Sequence, residues 1–293
     1  MKDLRERLVQ SPPILADGAM GSLLQSAGHA GCLERLNLDE PDAVKRVHAD
    51  YLAAGAEILW TNSFGGSPRR LAAGGLADRT EEVNEAAARI ARDVAGESAW
   101  VAGSVGPCGV PLAPYGDLDP DELTQGVARQ VRGLAAGGVD VVVVETMMDA
   151  EEAVVALRAA RDVAPGLPVF VTLTFTETPA GLFTPFGTSP ADAVRRLADE
   201  GADAIGANCG TGPEPMLEVA REMAQATERP RLFKPNAGMP EVTDAGPTWP
   251  ETPETFAANL AEITASGAAI VGGCCGTTPA HIEAARGALG ELG

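Results

Sequence analysis

The stretch Ala136-Gly137-Gly138-Val139-Asp140-Val141-Val142-Val143-Val144-Glu145-Thr146-Met147 contains the pattern that decides the fold. A glycine pair follows a helical segment, as at a helix C-cap, and an apolar run begins directly after it. The four consecutive valines do not alternate with polar residues, which indicates a parallel strand covered on both faces. The charged residue Glu145 then stands at the carboxyl end of this predicted strand.

The same unit of helix, glycine and apolar run recurs along the chain. Eight strand–helix repeats predict a single (β/α)8 TIM barrel domain over residues 1–293. The alternative is an open doubly wound sheet, which is disfavoured because no Gly-x-Gly-x-x-Gly motif follows the first strand. The predicted strand runs are Ile14–Met20, Glu57–Phe64, Trp100–Gly106, Val139–Met147, Pro168–Phe175, Asp203–Cys209, Arg231–Gly238 and Ala269–Cys275. The predicted helices are Pro41–Ala54, Thr80–Val94, Asp119–Ala136, Asp149–Val163, Ser189–Glu200, Glu214–Ala226, Thr252–Ser266 and Pro279–Leu289. The Pro/Gly-rich segment Pro235–Thr252 is expected to form a long loop at the rim where barrel active sites lie.

The composition limits the class of partner and the compartment. The chain is 45% hydrophobic but only 4% aromatic, so the core is expected to consist mainly of Ala, Val, Leu and Ile. A net charge of −19 argues against a nucleic-acid partner, since it repels phosphate backbones. No apolar run of about 18 residues predicts a membrane span, and the charged N-terminal segment does not resemble a signal peptide. Five cysteines, an odd number, make a poor disulfide framework, so a reducing cytoplasm is expected.

Three cysteines lie at the carboxyl ends of predicted strands, each beside glycine. Cys209 ends the sixth strand, Cys274 and Cys275 end the eighth, and Asn236 ends the seventh strand between them. Because the carboxyl ends of barrel strands meet at one face, three thiolates and one amide oxygen are expected to converge. This donor set predicts a zinc site with three fixed ligands and one displaceable ligand, which suits an incoming thiol. The alternative is three ordinary buried cysteines.

Two other predicted strand ends carry carboxylates. Asp17 ends the first strand and Glu145 the fourth, while the second ends in a small polar turn. Acids and amide-rich turns beside a thiolate-bound zinc indicate an amino acid with a thiol side chain as substrate. Asp-Gly sequences also mark ordinary turns, and a salt-bridged core glutamate is an alternative for Glu145. The candidate substrate contacts are Asp17, Gly18, Ala19, Ser63, Phe64 and Glu145.

The remaining cysteines and the histidines are assigned no catalytic role. Packing is expected for Cys108, and no role is assigned to Cys32. His48 and His281 lie in predicted helices and not at strand ends, so surface or capping positions are expected.

Six strand-end motifs occur in barrel order: Asp17-Gly18-Ala19-Met20-Gly21, Thr61-Asn62-Ser63-Phe64-Gly65, Glu145-Thr146, Gly206-Ala207-Asn208-Cys209, Pro235-Asn236-Ala237-Gly238 and Gly272-Gly273-Cys274-Cys275-Gly276-Thr277-Thr278-Pro279. Together they resemble the homocysteine S-methyltransferase family, from about Ile14 to about Leu289. The last two motifs look most like the homocysteine-binding barrel of the cobalamin-dependent methionine synthase branch, with the betaine–homocysteine methyltransferases close relatives. Thr146 stands where the betaine enzymes carry a tyrosine, which weakens the betaine resemblance.

The resemblance implies an enzyme that moves a methyl group to the thiol of homocysteine and forms methionine. It implies that Zn²⁺ is bound by Cys209, Cys274 and Cys275, with Asn236 as the exchangeable fourth ligand. It also implies that homocysteine is held at its ammonium by Asp17 and Glu145, and at its carboxylate by the amides around Gly18, Ala19, Ser63 and Phe64.

The methyl donor is not specified by these residues. The sequence has no Asp-x-His-x-x-Gly cobalamin-binding motif, so the donor is expected to be methylcobalamin on a separate corrinoid protein. Glycine betaine and S-methylmethionine or another sulfonium compound are alternative donors. Two other hypotheses are a docking subunit of a multi-protein corrinoid system and a barrel in which zinc is purely structural.

Overall fold

A computed structural model describes residues 3–243 and 246–290, and the predicted barrel domain is confirmed in these ranges. Residues 1–2, 244–245 and 291–293 of the predicted 1–293 domain lie outside them. The strands are β1 (Ile14–Leu15), β2 (Ile58–Trp60), β3 (Trp100–Val105), β4 (Val141–Met147), β5 (Val169–Leu173), β6 (Thr176–Thr178), β7 (Gly181–Phe183), β8 (Ala204–Asn208), β9 (Arg231–Lys234), β10 (Glu241–Thr243), β11 (Gly246–Thr248) and β12 (Ile270–Val271). The α-helices are α1 (Leu4–Arg7), α2 (Met20–Ser26), α3 (Leu36–Asp39), α4 (Pro41–Ala53), α5 (Pro68–Leu71), α6 (Thr80–Ala95), α7 (Pro120–Ala136), α8 (Ala150–Val163), α9 (Pro190–Asp199), α10 (Pro213–Ala226), α11 (Pro253–Ala265) and α12 (Pro279–Gly290). Short 3-10 turns span Leu33–Arg35, Ala72–Gly74 and Ala77–Arg79.

Eight parallel strands form the barrel. Their order is β1-β12-β9-β8-β5-β4-β3-β2. The pairing of Ala16 with Ile58 then joins β1 to β2 and closes the ring. The neighbours β8, β9 and β12 therefore bring the ends of the sixth, seventh and eighth barrel strands side by side, as the sequence predicts.

The valine run of β4 shows why these segments become buried strands. All four valines are fully buried, yet they belong to two different cores. Val141 and Val143 point into the barrel with Phe170 and Leu232, whereas Val142 and Val144 pack outward against the helices. Each face of the strand is covered by apolar groups, so an alternating polar pattern has no place here.

The first residue of four predicted helices is an N-cap in the structure. The side chains of Asp119, Asp149, Ser189 and Thr252 each accept a hydrogen bond from a backbone N–H in the first turn of α7, α8, α9 and α11. The glycine that separates helix from strand has positive φ in four repeats: Gly55 (98°), Gly138 (89°), Gly201 (84°) and Gly267 (88°).

The structure departs from the prediction at the rim. The apolar run Ile14–Met20 holds only a two-residue strand, and Met20 begins α2, whose start has no capping side chain to signal it. Two antiparallel hairpins, β6–β7 and β10–β11, were not predicted. The second lies inside the predicted loop Pro235–Thr252, of which residues 244–245 are outside the described ranges. None of the helices in those ranges combines the length and apolarity that crossing a bilayer requires.

Candidate metal centre and substrate cavity

A cavity of about 440 Å³ opens at the carboxyl end of the barrel strands. Its wall brings together residues far apart in sequence, including all three predicted metal-binding cysteines. The predicted substrate contacts Gly18, Ala19, Ser63, Phe64 and Glu145 also line it, while Asp17 and Asn236 are buried and do not. Further lining residues that the sequence analysis did not select include Trp60, Ser104 and Lys234.

The three cysteines form one cluster. The Sγ atoms of Cys209, Cys274 and Cys275 all lie within 4.8 Å of one another, and those of Cys209 and Cys275 are 3.9 Å apart. Tetrahedral zinc with sulfur at about 2.3 Å separates its sulfur ligands by about 3.8 Å. The cluster can therefore hold a metal ion without a large rearrangement.

Backbone hydrogen bonds lock the three strand ends together. The Cys209 N–H donates to the Lys234 carbonyl at 3.1 Å, and the Cys274 N–H donates to the Pro235 carbonyl at 2.7 Å. The Ala237 N–H in turn donates to the Cys275 carbonyl at 3.0 Å. Each cysteine is thus tied to the end of β9 or to the loop after it, so the backbone of the barrel positions the three cysteines.

Asn236 offers a fourth ligand at the same point. Its side chain is buried, and its Oδ1 has no hydrogen-bond partner among the described residues. An orphaned buried acceptor costs free energy unless something binds it. A metal ion at the three sulfurs would supply that partner, so the donor set fits the predicted zinc site.

The three cysteines shift one another's pKa. Hydrogen bonds from Cys274 and then Cys275 lower the pKa of Cys209, with a further contribution from the Asn236 amide. The same contacts with Cys209 raise the pKa of Cys274 and Cys275. Thiols grouped this closely are suited to bind a cation, which displaces their protons.

One cysteine of the cluster and one residue of the cavity wall have a strained backbone. Cys209 (φ 57°) and Thr146 (φ 60°) are the described non-glycine residues with positive φ, a region that costs side-chain-bearing residues about 1–2 kcal/mol. Asn208 holds Thr146 in place, since its Oδ1 accepts from the Thr146 N–H at 2.8 Å and its Nδ2 donates to Thr146 Oγ1 at 2.7 Å. The Asn208 amide also reaches Cys274 Sγ at 3.7 Å. Asn208 lies within a predicted motif but was given no role.

The indole of Trp249 covers the turn that carries the cysteine pair. Gly276 (φ 79°) lies so close to the Trp249 ring that a Cβ there would overlap Cγ and Cδ2. Trp249 follows the β10–β11 hairpin, so the loop after β9 closes over the Cys274-Cys275 turn. This contact needs glycine at position 276 on two counts, the backbone angle and the space.

A buried ion pair occupies the floor of the cavity. Lys234 Nζ lies 2.7 Å from Asp17 Oδ1 and 3.7 Å from the centre of the Trp60 ring. The second oxygen of Asp17 accepts a 2.7 Å hydrogen bond from the Trp60 N–H. Both carboxylate oxygens of Asp17 are therefore engaged. Lys234 lies in the predicted seventh strand, two residues before Asn236, and the sequence pattern assigned it no role.

Glu145 lines the same cavity as Lys234. Its carboxylate accepts a short hydrogen bond from Ser104 Oγ and a 3.2 Å bond from Asn208 Nδ2. Burial raises the pKa of Glu145, while the nearby Lys234 ammonium and the Ser104 hydroxyl act to lower it. This is a buried carboxylate that faces the cavity and is stabilised by a cation entering it.

The predicted amide donors differ in how they are used. The Ala19 N–H donates to Thr277 Oγ1 at 3.1 Å, and the Ser63 N–H donates to the Thr61 carbonyl at 2.8 Å. Within the described ranges, the N–H groups of Gly18 and Phe64 have no hydrogen-bond acceptor. Two of the four predicted amides are thus available to an anion.

The residues given no catalytic role lie apart from the cavity wall. Cys108 is buried, as expected. His281 caps its helix, because its Nδ1 lies 3.2 Å from the Thr278 N–H. The surface or capping expectation for His48 is wrong: it is fully buried in α4, and neither ring nitrogen has a hydrogen-bond partner among described residues. Val44, Val47 and Tyr51 belong to the buried apolar face of this helix, and His48 lies on the same face.

Comparison with known proteins gives one consistent family. The sequence profile described as homocysteine S-methyltransferase matches residues 14–289. The chain is 34% identical to methionine synthase of Mycobacterium tuberculosis and 35% identical to that of Mycobacterium leprae, over 95% and 98% of its own length. It spans only 25% of the length of either relative. The crystal structure of the homocysteine methyltransferase MmuM from Escherichia coli in its metallated form is similar, with a TM-score of 0.81 and 26% identity over 98% of this chain and 99% of that one.

Proposed function

The chain belongs to the homocysteine S-methyltransferase family, and we propose on that premise that it transfers a methyl group to the thiol of homocysteine and releases methionine. The observation that carries the proposal is the cluster of three sulfurs at adjacent strand ends, inside the cavity and beside an unsatisfied Asn236 oxygen. The similarity to MmuM, which has been solved in a metallated form, supports a metal-dependent enzyme.

Zinc is the proposed metal, with Cys209, Cys274 and Cys275 as permanent ligands and Asn236 as the ligand that homocysteine displaces. Zn²⁺ bound there would lower the pKa of the substrate thiol, so that the thiolate persists at neutral pH. The backbone bonds from the loop after β9 keep the three sulfurs in place while the fourth position exchanges. The cysteines must be reduced for this role, which favours a cytoplasmic location.

The rest of the cavity holds the amino-acid end of homocysteine. We propose that Glu145 accepts from the ammonium and that the N–H groups of Gly18 and Phe64 donate to the carboxylate, because all three residues line the cavity and neither N–H has an acceptor among the described residues. With both ends of the substrate fixed, the sulfur is aligned for in-line attack on the methyl carbon. The methyl group leaves its donor without its bonding electrons, which stay on the leaving group, and the thiolate pair forms the new S–C bond.

A protein-bound donor is favoured by the surface around the cavity mouth. The described large apolar side chains that are exposed at this end are Tyr115, Met148, Phe186 and Met239, all in loops that follow barrel strands. Tyr115 and Phe186 stack edge to face, with ring centroids 5.9 Å apart. Exposed apolar groups on the face where a cavity opens are typical of a protein contact surface. We therefore propose methylcobalamin on a separate corrinoid protein as the donor.

A donor screen tests both parts of this proposal. The zinc-loaded protein is mixed with homocysteine and, in turn, with a methylcobalamin-loaded corrinoid protein, glycine betaine or S-methylmethionine, and methionine is followed by mass spectrometry. Methionine from the corrinoid protein alone is the expected result. Methionine from a small donor instead would keep the methyltransferase and overturn the donor. No methionine from any of the three, with zinc bound at one equivalent, would overturn the proposed function.

A further inference from the structure

We infer that Lys234 determines substrate specificity by binding the carboxylate of the amino-acid thiol from a position at the cavity wall, where its ammonium also contacts Asp17 and the Trp60 ring. The inference rests on the proposed function and deepens it, since it assigns one end of the substrate to a side chain that no motif marks. It also changes the part of Asp17, which the resemblance assigns to the substrate ammonium.

The geometry of Asp17 leaves it little capacity for a substrate. Its two oxygens bond Lys234 Nζ and the Trp60 N–H, both at 2.7 Å, and the residue is only 1% exposed and does not line the cavity. A substrate ammonium at Asp17 would have to displace Lys234, which would leave a second buried cation unpaired. Lys234, by contrast, does line the cavity.

An ammonium has three N–H donors, and two of the directions in which the Lys234 ammonium can interact are already occupied. One faces Asp17 Oδ1, and another is the face of the Trp60 ring at 3.7 Å. The Gly18 N–H, which also has no acceptor among the described residues, directly follows Asp17 in the chain. The remaining Lys234 donor and this amide can form one anion site. Lys234 and Arg70 are the described cationic residues that line the cavity, and of the two Lys234 is buried whereas Arg70 is exposed.

The position of Glu145 completes the site for an α-amino acid. The ammonium and carboxylate of an amino acid are on neighbouring atoms, so their partners in the protein must also be neighbours. Lys234 is close enough to Glu145 to act on the pKa of its carboxyl. A carboxylate between Lys234 and Gly18 would therefore place the attached ammonium toward Glu145, with the side-chain thiol free to reach the cysteine cluster.

The test compares three thiols on the zinc-loaded protein by isothermal titration calorimetry. Homocysteine has both charged groups, 3-aminopropane-1-thiol lacks the carboxylate, and 4-mercaptobutanoate lacks the ammonium. All three present the same thiol to the metal, so the ratios of their affinities isolate the two ends. The variants are Asp17→Asn, the double variant Asp17→Asn/Lys234→Met, which removes both charges of the pair together, and Lys45→Met, which removes an exposed cation in α4.

The wild type is expected to bind homocysteine about 10- to 100-fold more tightly than the thiol without a carboxylate, as for a hydrogen bond between charged groups. The double variant is expected to reduce that preference to about threefold or less, while Asp17→Asn and Lys45→Met keep it. An unchanged preference in a double variant that retains one zinc would overturn the inference. Collapse of the homocysteine preference over 4-mercaptobutanoate in Asp17→Asn would also overturn it, because Asp17 would then hold the ammonium. Binding is measured without a methyl donor, so the role of Lys234 can be tested even if the protein transfers no methyl group.

Discussion

The two ends of the cavity differ in how far the fold completes their bonding. At the metal end, three sulfurs lie within 4.8 Å of one another, and the Asn236 oxygen has no hydrogen-bond partner among the described residues. At the amino-acid end, both oxygens of Asp17 are engaged by Lys234 and the Trp60 N–H, and Glu145 is bonded by Ser104 and Asn208. The metal end is completed by something that binds there, whereas the amino-acid end is built in advance and only receives its ligand. Substitutions should therefore act on metal content at one end and on thiol selectivity at the other.

The largest effect is expected from Cys274→Ser. A hydroxyl replaces one of three sulfurs, and zinc affinity should fall by more than about 100-fold, because even the loss of partners behind the ligands costs about 10- to 100-fold. Methionine formation should be lost with the zinc. The matched control is Cys32→Ser, at a half-buried cysteine outside the cavity wall. Bound zinc is measured by metal analysis, and full activity in a zinc-free Cys274→Ser protein would refute the metal assignment.

Gly276→Ala tests whether the metal end depends on its cover. Positive φ and the overlap with Trp249 should together destabilise the turn by about 2–4 kcal/mol. We expect weaker zinc binding, because the strain falls directly beside Cys275. Gly287→Ala in α12, where a Cβ meets nothing within 4 Å, should instead leave zinc binding unchanged and stabilise the helix by up to about 1 kcal/mol. Equal zinc affinities in the two variants would show that the Trp249 contact does not position the cysteine pair.

Glu145→Gln addresses the other end. Removing the charge should weaken homocysteine binding by about 10- to 100-fold with zinc content unchanged. Affinity for 4-mercaptobutanoate, which has no ammonium, should stay the same. Calorimetry on the zinc-loaded variant measures both, with Glu177→Gln on the exposed hairpin strand β6 as the control. A matching loss for both thiols would mean that Glu145 supports the cavity without contacting the ammonium.

His48 shows that an unsatisfied polar group does not by itself mark a site. Burial without a partner lowers the pKa of His48 to about 4, well below the value of about 6.5 in an unfolded chain. The unfolded state therefore binds the extra proton between these values, and stability falls as the pH drops from 6.5 toward 4. The loss due to His48 should be about 2 kcal/mol at pH 5. The test is denaturant unfolding of the zinc-free wild type and the zinc-free His48→Leu variant at pH 7 and pH 5. The free energy of unfolding should fall by about 2 kcal/mol less in the variant than in the wild type. An equal fall in the two proteins would contradict this prediction.

The sequence predicts the barrel and the metal end because both follow from local patterns. These patterns can be interpreted from a few neighbouring residues. They are the unbroken valine run, the glycines between helix and strand, and the cysteines at strand ends. The Asp17–Lys234 pair joins positions 217 residues apart. Lys234 stands two residues before Asn236 in the sequence, but its partner Asp17 can be identified only when the order of β9, β12 and β1 around the ring is known. The hairpins at the rim and the burial of His48 were missed for the same reason, since tertiary packing decides them.

The central claim is that the fold leaves one position at the metal for the substrate thiol. X-ray absorption at the zinc edge, before and after addition of homocysteine, tests it most directly. The zinc-loaded protein should show three sulfur ligands and one oxygen or nitrogen ligand, and homocysteine should convert this to four sulfurs. A spectrum that stays at three sulfurs and one lighter atom when homocysteine is shown to be bound would contradict the claim and indicate a purely structural metal.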